Sequence, residues 1–112
     1  MSHITITPAP GTWEARVGET VIARSARVLE LREGSYPAVL YFPRADADLS
    51  LLEKTTRSST CPYKGVAGYF SVATPDKQLA NAIWTYESPK ADVAAIAGHL
   101  AFYTDRVSLV QV

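Results

Sequence analysis

Short runs in which apolar and polar residues alternate dominate this chain, and a period of two is that of a strand with one buried face. Arg27-Val28-Leu29-Glu30-Leu31 follows that period closely. Ala15-Arg16-Val17 and Thr20-Val21-Ile22-Ala23 are two further runs, separated by Gly18-Glu19. A glycine first in a two-residue connection suits a type II′ hairpin turn, because glycine tolerates positive φ. Residues 37–42 predict a strand ended by Pro43, with Glu33-Gly34-Ser35 as the turn before it. Strands are also predicted over 66–72, 82–86, 101–103 and 107–112, with turns at Pro75-Asp76-Lys77, Ser88-Pro89 and Thr104-Asp105-Arg106. Residues 44–53 admit two readings, a helical turn capped by Asp46 or Asp48, or a strand starting at Leu49, Leu51 and Glu53. We expect a short turn of helix and then a strand through Lys54 and Thr55. Arg57-Ser58-Ser59-Thr60 reads as a polar approach to a loop at 61–65. Over 90–98, Asp92 suits a first helical turn, Val93, Ile96 and Ala97 have helical spacing, and Gly98 is a stop signal, so one short helix is predicted.

Eight or nine short strands with one short helix predict an all-β (mainly β) domain, a two-sheet or barrel-like fold. The long helical stretches of a doubly wound α/β fold are missing. Pro8-Ala9-Pro10-Gly11 makes residues 1–12 an extended N-terminal segment, with a short edge strand around Ile6, and leaves 13–112 as a single β domain.

Composition narrows the function. Eleven Lys and Arg balance eleven Asp and Glu, so the chain has no overall basic field for nucleic acid or an anionic membrane. Lys54, Arg57 and Lys64 beside Tyr63 form at most a local basic stretch, a thin basis for a nucleic-acid partner. No run approaches the roughly 18 apolar residues of a membrane helix, and Met1-Ser2-His3-Ile4-Thr5 has no secretion-signal pattern. A single cysteine, Cys61, excludes an intrachain disulfide and fits a reducing, cytoplasmic setting.

The densest chemistry is Cys61-Pro62-Tyr63-Lys64-Gly65. An ammonium beside a thiol favours thiolate, the nucleophilic form. The plainer reading is a free cysteine that simply packs. His99 could pair with Cys61 if the fold joined them, although a structural histidine is the plainer role. One cysteine with His3 and His99 falls short of a zinc ligand set, so no metal is expected. Asp46 and Asp48 lack a preceding phosphate-binding turn, and neither GxxxxGK[ST], GxGxxG nor GxSxG occurs, so no cofactor is expected. Aromatic residues are the second feature. In the pairs Tyr41-Phe42 and Tyr69-Phe70 the neighbours must face opposite sides of a strand, one in the core and the other free to line a groove. Trp84 and Tyr86 share a face.

Several phrases together resemble a known family: residues 29–37 (Leu-Glu-Leu-Arg-Glu-Gly-Ser-Tyr-Pro), Tyr41-Phe42-Pro43, Cys61-Pro62-Tyr63-Lys64-Gly65 with Tyr69, Trp84-Thr85-Tyr86, and Gly98-His99-Leu100-Ala101-Phe102-Tyr103. They resemble the bacterial family known as domain of unknown function 427, which also carries a nucleotidyltransferase-type label. The likeness spans residues 13–107, and the Cys61–Gly65 phrase is its most specific part. It implies a small β-tent fold, two antiparallel sheets meeting at an angle. That group often holds zinc with two cysteine pairs, which this chain lacks, so the resemblance is to a metal-free version. The family often has proline after the Phe-Tyr pair where this chain has Thr104. No established reaction comes with the resemblance.

The leading expectation is a small-molecule site, for a ligand of anionic character, near the Cys61–Gly65 loop. Arg16 and Lys64 would supply charge, Tyr36, Tyr41, Tyr63, Trp84 and Tyr86 would supply walls, and Glu33 and His99 would complete the polar rim. One alternative is an enzyme using Cys61 as nucleophile or redox centre. Another is a homodimer or protein-interaction module pairing through Ser108-Leu109-Val110-Gln111-Val112.

Overall fold

The computed structural model describes residues 3–112; the first two residues of the N-terminal segment lie outside the described residues. Its strands are β1 (Ile4–Pro8), β2 (Trp13–Val17), β3 (Thr20–Ser25), β4 (Leu29–Glu33), β5 (Val39–Tyr41), β6 (Leu52–Cys61), β7 (Gly65–Ala73), β8 (Gln78–Thr85), β9 (Leu100–Phe102) and β10 (Ser108–Gln111). The mainly β expectation holds. The strands form three antiparallel sheets, ordered β1-β4-β5, β10-β2-β3 and β6-β7-β8-β9, where the resemblance implied two, and the sheets do not close into a barrel. Ile4–Pro8 is the anticipated edge strand, paired along its length with Leu29–Glu33. Strand β10 is an edge strand held on β2.

Side-chain alternation explains why β7, β8 and β9 read as nearly continuous apolar runs. Their neighbours divide between two cores. Phe70, Ile83 and Phe102 enter one, with Ala15, Val17 and Ile22 of the β10-β2-β3 sheet. Tyr69, Trp84 and Ala101 enter the other, with Leu31 and Tyr41 of the β1-β4-β5 sheet. The four-stranded sheet therefore has a core on each face. Both members of each aromatic pair are buried, one on each side: Phe42 and Phe70 in the first core, Tyr41 and Tyr69 in the second, where the two tyrosines also line a recess.

Turn chemistry is as the residues dictate. Gly18 has φ +59° in the two-residue link from β2 to β3. Asp48 caps the short 3-10 helix Leu49–Leu51 by accepting from Ser50 N at 3.1 Å. Asp46 is no cap. Its carboxylate accepts from Ser25 Oγ at 2.6 Å and from Arg27 at 3.1 Å, which ties a second 3-10 helix, Arg44–Asp46, to β3.

Two predicted elements differ in kind. Residues 90–98 form a 3-10 helix at Ala91–Ile96, with Val93 off helical angles (φ −124°, ψ 28°). Val93, at the kink between two 3-10 turns, and Ile96 are both fully buried, and turns so short gain little from an α-helical ladder. Arg57-Ser58-Ser59-Thr60 is strand, part of the ten residues of β6. Its polar, exposed sequence hides this, because β6 is an edge strand specified by pairing with β7 and not by an apolar face of its own. Among the described residues no helix is long and apolar enough to cross a membrane.

Candidate functional site

Three segments meet at a cleft lined by aromatic residues. Strand β4 ends at Glu33, and Gly34 (φ +55°) turns the chain so that Tyr36-Pro37-Ala38 forms one wall. The hairpin between β6 and β7 brings Cys61, Pro62, Tyr63 and Lys64 to the opposite wall. Trp84 on β8 and Phe102-Tyr103 at the end of β9 form the base. The hairpin is held from outside: Lys90 N donates to Lys64 O at 2.9 Å, and Lys90 Nζ donates to Pro62 O at 2.7 Å. Gly65 then starts β7 at φ +115°, a conformation that any side chain would strain.

The outer cleft encloses about 840 Å³. A recess of about 230 Å³ adjoins it, sharing Glu33, Tyr36, Lys64, Trp84 and Tyr103 and reaching inward to Tyr41, Tyr69 and Tyr86. Trp84 stands edge-on to Tyr41 (6.5 Å between centroids) and tilts against Tyr103 at 4.7 Å. Its indole N–H donates to the Tyr41 hydroxyl at 3.3 Å.

One ion pair sits in the wall. Lys64 Nζ donates to Glu33 Oε1 at 2.6 Å, and the two side chains are only 11% and 17% exposed. The same ammonium lies 3.8 Å from Cys61 Sγ. His3 Nε2 approaches Glu33 Oε2 at 3.4 Å, and its ring meets Tyr63 edge-on at 4.9 Å. The hydrogen bond from Lys64 holds the Glu33 carboxyl below the ordinary carboxylate value, against the opposing effect of burial. Burial pushes the Tyr41 phenol up to about 12 and raises Tyr86 as well. Burial also tends to raise Tyr69, but hydrogen bonds involving Ser59, Tyr103 and Arg57 outweigh it and leave that phenol below its usual range. The recess thus presents the raised, protonated hydroxyls of Tyr41 and Tyr86 beside the Glu33–Lys64 pair. That set can donate and accept hydrogen bonds to a polar group while aromatic faces cover an apolar one.

The structure gathers Glu33, Tyr36, Tyr41, Cys61, Tyr63, Lys64, Trp84 and Tyr86 around these two hollows. It does not bring Arg16 or His99 there. Arg16 lies on β2 and binds Glu14, with Nε at 2.8 Å from Oε1. His99 Nδ1 lies 3.2 Å from the Ala97 carbonyl, and His99 does not line the cleft with Cys61. Nor do the cations of the local basic stretch form one surface. Lys64 is buried against Glu33, Lys54 lies 3.9 Å from Glu87, and Arg57 covers the Tyr69 ring. Among the described residues no cluster of three or more His, Cys, Asp or Glu is placed to hold a metal ion.

Tyr103, an aromatic residue of the family phrase at 98–103 that is not among the expected site residues, belongs to the site. A signal existed: Trp84 pairs with Ala101, and Tyr103 lies two residues further along the same face, a diagonal neighbour of the indole. Reading it requires the register, which no local pattern supplies.

No curated protein matches the sequence. The family model described as domain of unknown function (DUF427) matches residues 5–112 and so includes every segment of the cleft. By that match, the chain belongs to the family of the domain of unknown function DUF427.

Proposed function

We propose that this protein binds a small organic molecule with a planar apolar body. The body lies against Trp84, Tyr103 and Tyr36, and a polar edge faces the Glu33–Lys64 pair. The observation that supports this is the cleft itself, where aromatic walls surround a carboxylate and an ammonium kept largely from solvent. Lys64 is neutralised by Glu33, so it is a hydrogen-bonding group here and not a free positive charge. The test uses 2-naphthol as probe and the two tryptophan indole N–H signals as reporters. Saturable movement of the Trp84 signal, with Trp13 as the unmoved control, is expected, and Tyr36→Ala should weaken it. Tyr36 is 72% exposed, so its loss leaves the fold intact. No saturable movement at Trp84 would overturn the reading.

A second reading follows from the 3.8 Å contact between Lys64 Nζ and Cys61 Sγ, namely thiol chemistry at the cleft wall. Iodoacetamide should then alkylate the native protein, and Lys64→Met should slow the reaction. Alkylation only after denaturation would remove this reading.

A further inference from the structure

Tyr103 and Asp105 line both the cleft and another hollow of about 410 Å³, which Arg57, Ala80, Asn81 and Arg106 complete. Irregularities in three adjacent strands meet beside it. The β6–β7 register shifts between Lys54 and Ser58, the β7–β8 register shifts between Phe70 and Val72, and Asn81 on β8 adopts φ +52°. Thr55 Oγ1 donates to Asn81 Oδ1 at 2.6 Å and fixes the irregular strands to one another. Bulges of this kind re-aim side chains, and Arg57 lies within the shifted stretch of β6.

Both guanidiniums rest on aromatic faces, Arg57 at 5.0 Å from the Tyr69 ring centroid and Arg106 at 5.3 Å from that of Tyr103. Arg106 is further oriented by donating to the Ala80 carbonyl at 2.7 Å and the Asn81 carbonyl at 3.2 Å. Carboxylates match all five other arginines: Glu14 binds Arg16 and Arg24, Asp46 binds Arg27, Glu30 binds Arg32, and Glu87 binds Arg44. Arg57 has no such partner among the described residues. Arg106 has only Asp105, at 4.0 Å and 79% exposed, a contact too loose and too hydrated to neutralise it. The lowered Tyr69 phenol is consistent with a positive field from this side, because Arg57 contributes to it.

We infer that Arg57 and Arg106, with Tyr103 as the shared wall, form an oxyanion subsite that takes the phosphate, sulfate or carboxylate end of a ligand whose planar body occupies the cleft. The inference rests on the cleft reading above and adds to it the polarity of the ligand: aromatic body toward Trp84, anionic group toward the bulged strands. Arginine suits the role because its planar donor fork matches a tetrahedral or planar oxyanion, and stacking on tyrosine holds the fork in place.

The test compares 2-naphthyl phosphate, 2-naphthol and inorganic phosphate, each titrated against the full chain while the Trp84 indole and the Arg57 and Arg106 Nε–H signals are followed. We expect the phosphate ester to bind at least about tenfold more tightly than naphthol, the gain of one or two charge-assisted hydrogen bonds. Arg57→Gln should abolish that ratio. Arg57 is exposed on an edge strand, so this variant keeps the fold. Arg106→Gln should reduce the ratio too, but it also removes the bonds to Ala80 and Asn81, so the Arg57 variant decides. Equal affinities for ester and alcohol, or a ratio unchanged in Arg57→Gln, would overturn the subsite and leave the cleft reading standing. Inorganic phosphate moving the arginine signals while naphthol leaves Trp84 unmoved would support the oxyanion site and overturn the cleft reading. No response to any of the three would overturn both.

Discussion

Replacing Glu33 by glutamine tests whether the cleft wall is as dry as its geometry indicates. The substitution keeps the shape and removes the charge facing Lys64, whose side chain is 11% exposed. Breaking a fully buried pair by deleting one partner costs about 3–5 kcal/mol, and an exposed pair contributes about 0–1 kcal/mol. Exposures of 11% and 17% lie near the buried limit, so we expect Glu33→Gln to cost about 2–3 kcal/mol. Lys64→Met should cost about 1–2 kcal/mol, because Glu33 keeps His3 at 3.4 Å as a neighbour. The double variant should return to within about 1 kcal/mol of the native protein, since neither charge is then stranded. Urea unfolding of all four proteins at pH 7 closes the cycle, and a coupling energy of about 2–5 kcal/mol is expected. The pH dependence follows from the lowered Glu33 carboxyl. The unfolded chain protonates it near 4.5 and the folded chain only at lower pH, so its stabilisation is full above pH 4.5 and is lost as pH falls through the folded value. Glu33→Gln should therefore flatten the acid limb of the stability curve. A coupling energy below about 0.5 kcal/mol would show that the pair behaves as a surface contact, and the argument for a desolvated cleft would fail.

Three further outcomes test other parts of the account. Gly65→Ala places a Cβ at φ +115° and should destabilise the protein by about 1–2 kcal/mol by urea unfolding; an unchanged midpoint would mean that the hairpin is not held as described. Ile96→Ala empties a fully buried position in the core behind the cleft and should cost about 2–5 kcal/mol, whereas a cost below about 1 kcal/mol would place that helix outside the core. The Tyr41 phenol, raised to about 12 by burial, keeps its proton while the unfolded chain loses its own near 10, so stability falls as pH rises from 10 to 12; in Tyr41→Phe that slope should diminish, as thermal unfolding across the range would report.

The sequence by itself determined the strands that have an apolar face to bury. Period-two alternation at 27–31 and the runs at 66–72 and 82–86 identify β structure without any knowledge of the partners, because the driving force is burial of the segment's own side chains. It also marked Gly18 and Gly34 as turns and drew attention to the Cys61–Gly65 hairpin and its aromatic surroundings. It placed the start of β6 at Lys54 and Thr55 but not its continuation through Arg57–Thr60, whose polar residues become a strand only because β7 supplies the hydrogen-bond ladder. Only the tertiary structure decided how charges are matched. Glu33 and Lys64 stand far apart in the chain and meet across the cleft, which turns an anticipated free cation into half of an ion pair, and Glu14 binds Arg16 away from the site. It likewise decided that Tyr103 joins Trp84 and that Arg57 and Arg106 flank the same hollow, since both depend on strand register and on bulges. Alternation is a local consequence of backbone geometry, so it is written in neighbouring residues. Register and charge pairing are set by contacts between segments distant in the chain, and those exist only once the sheets have formed.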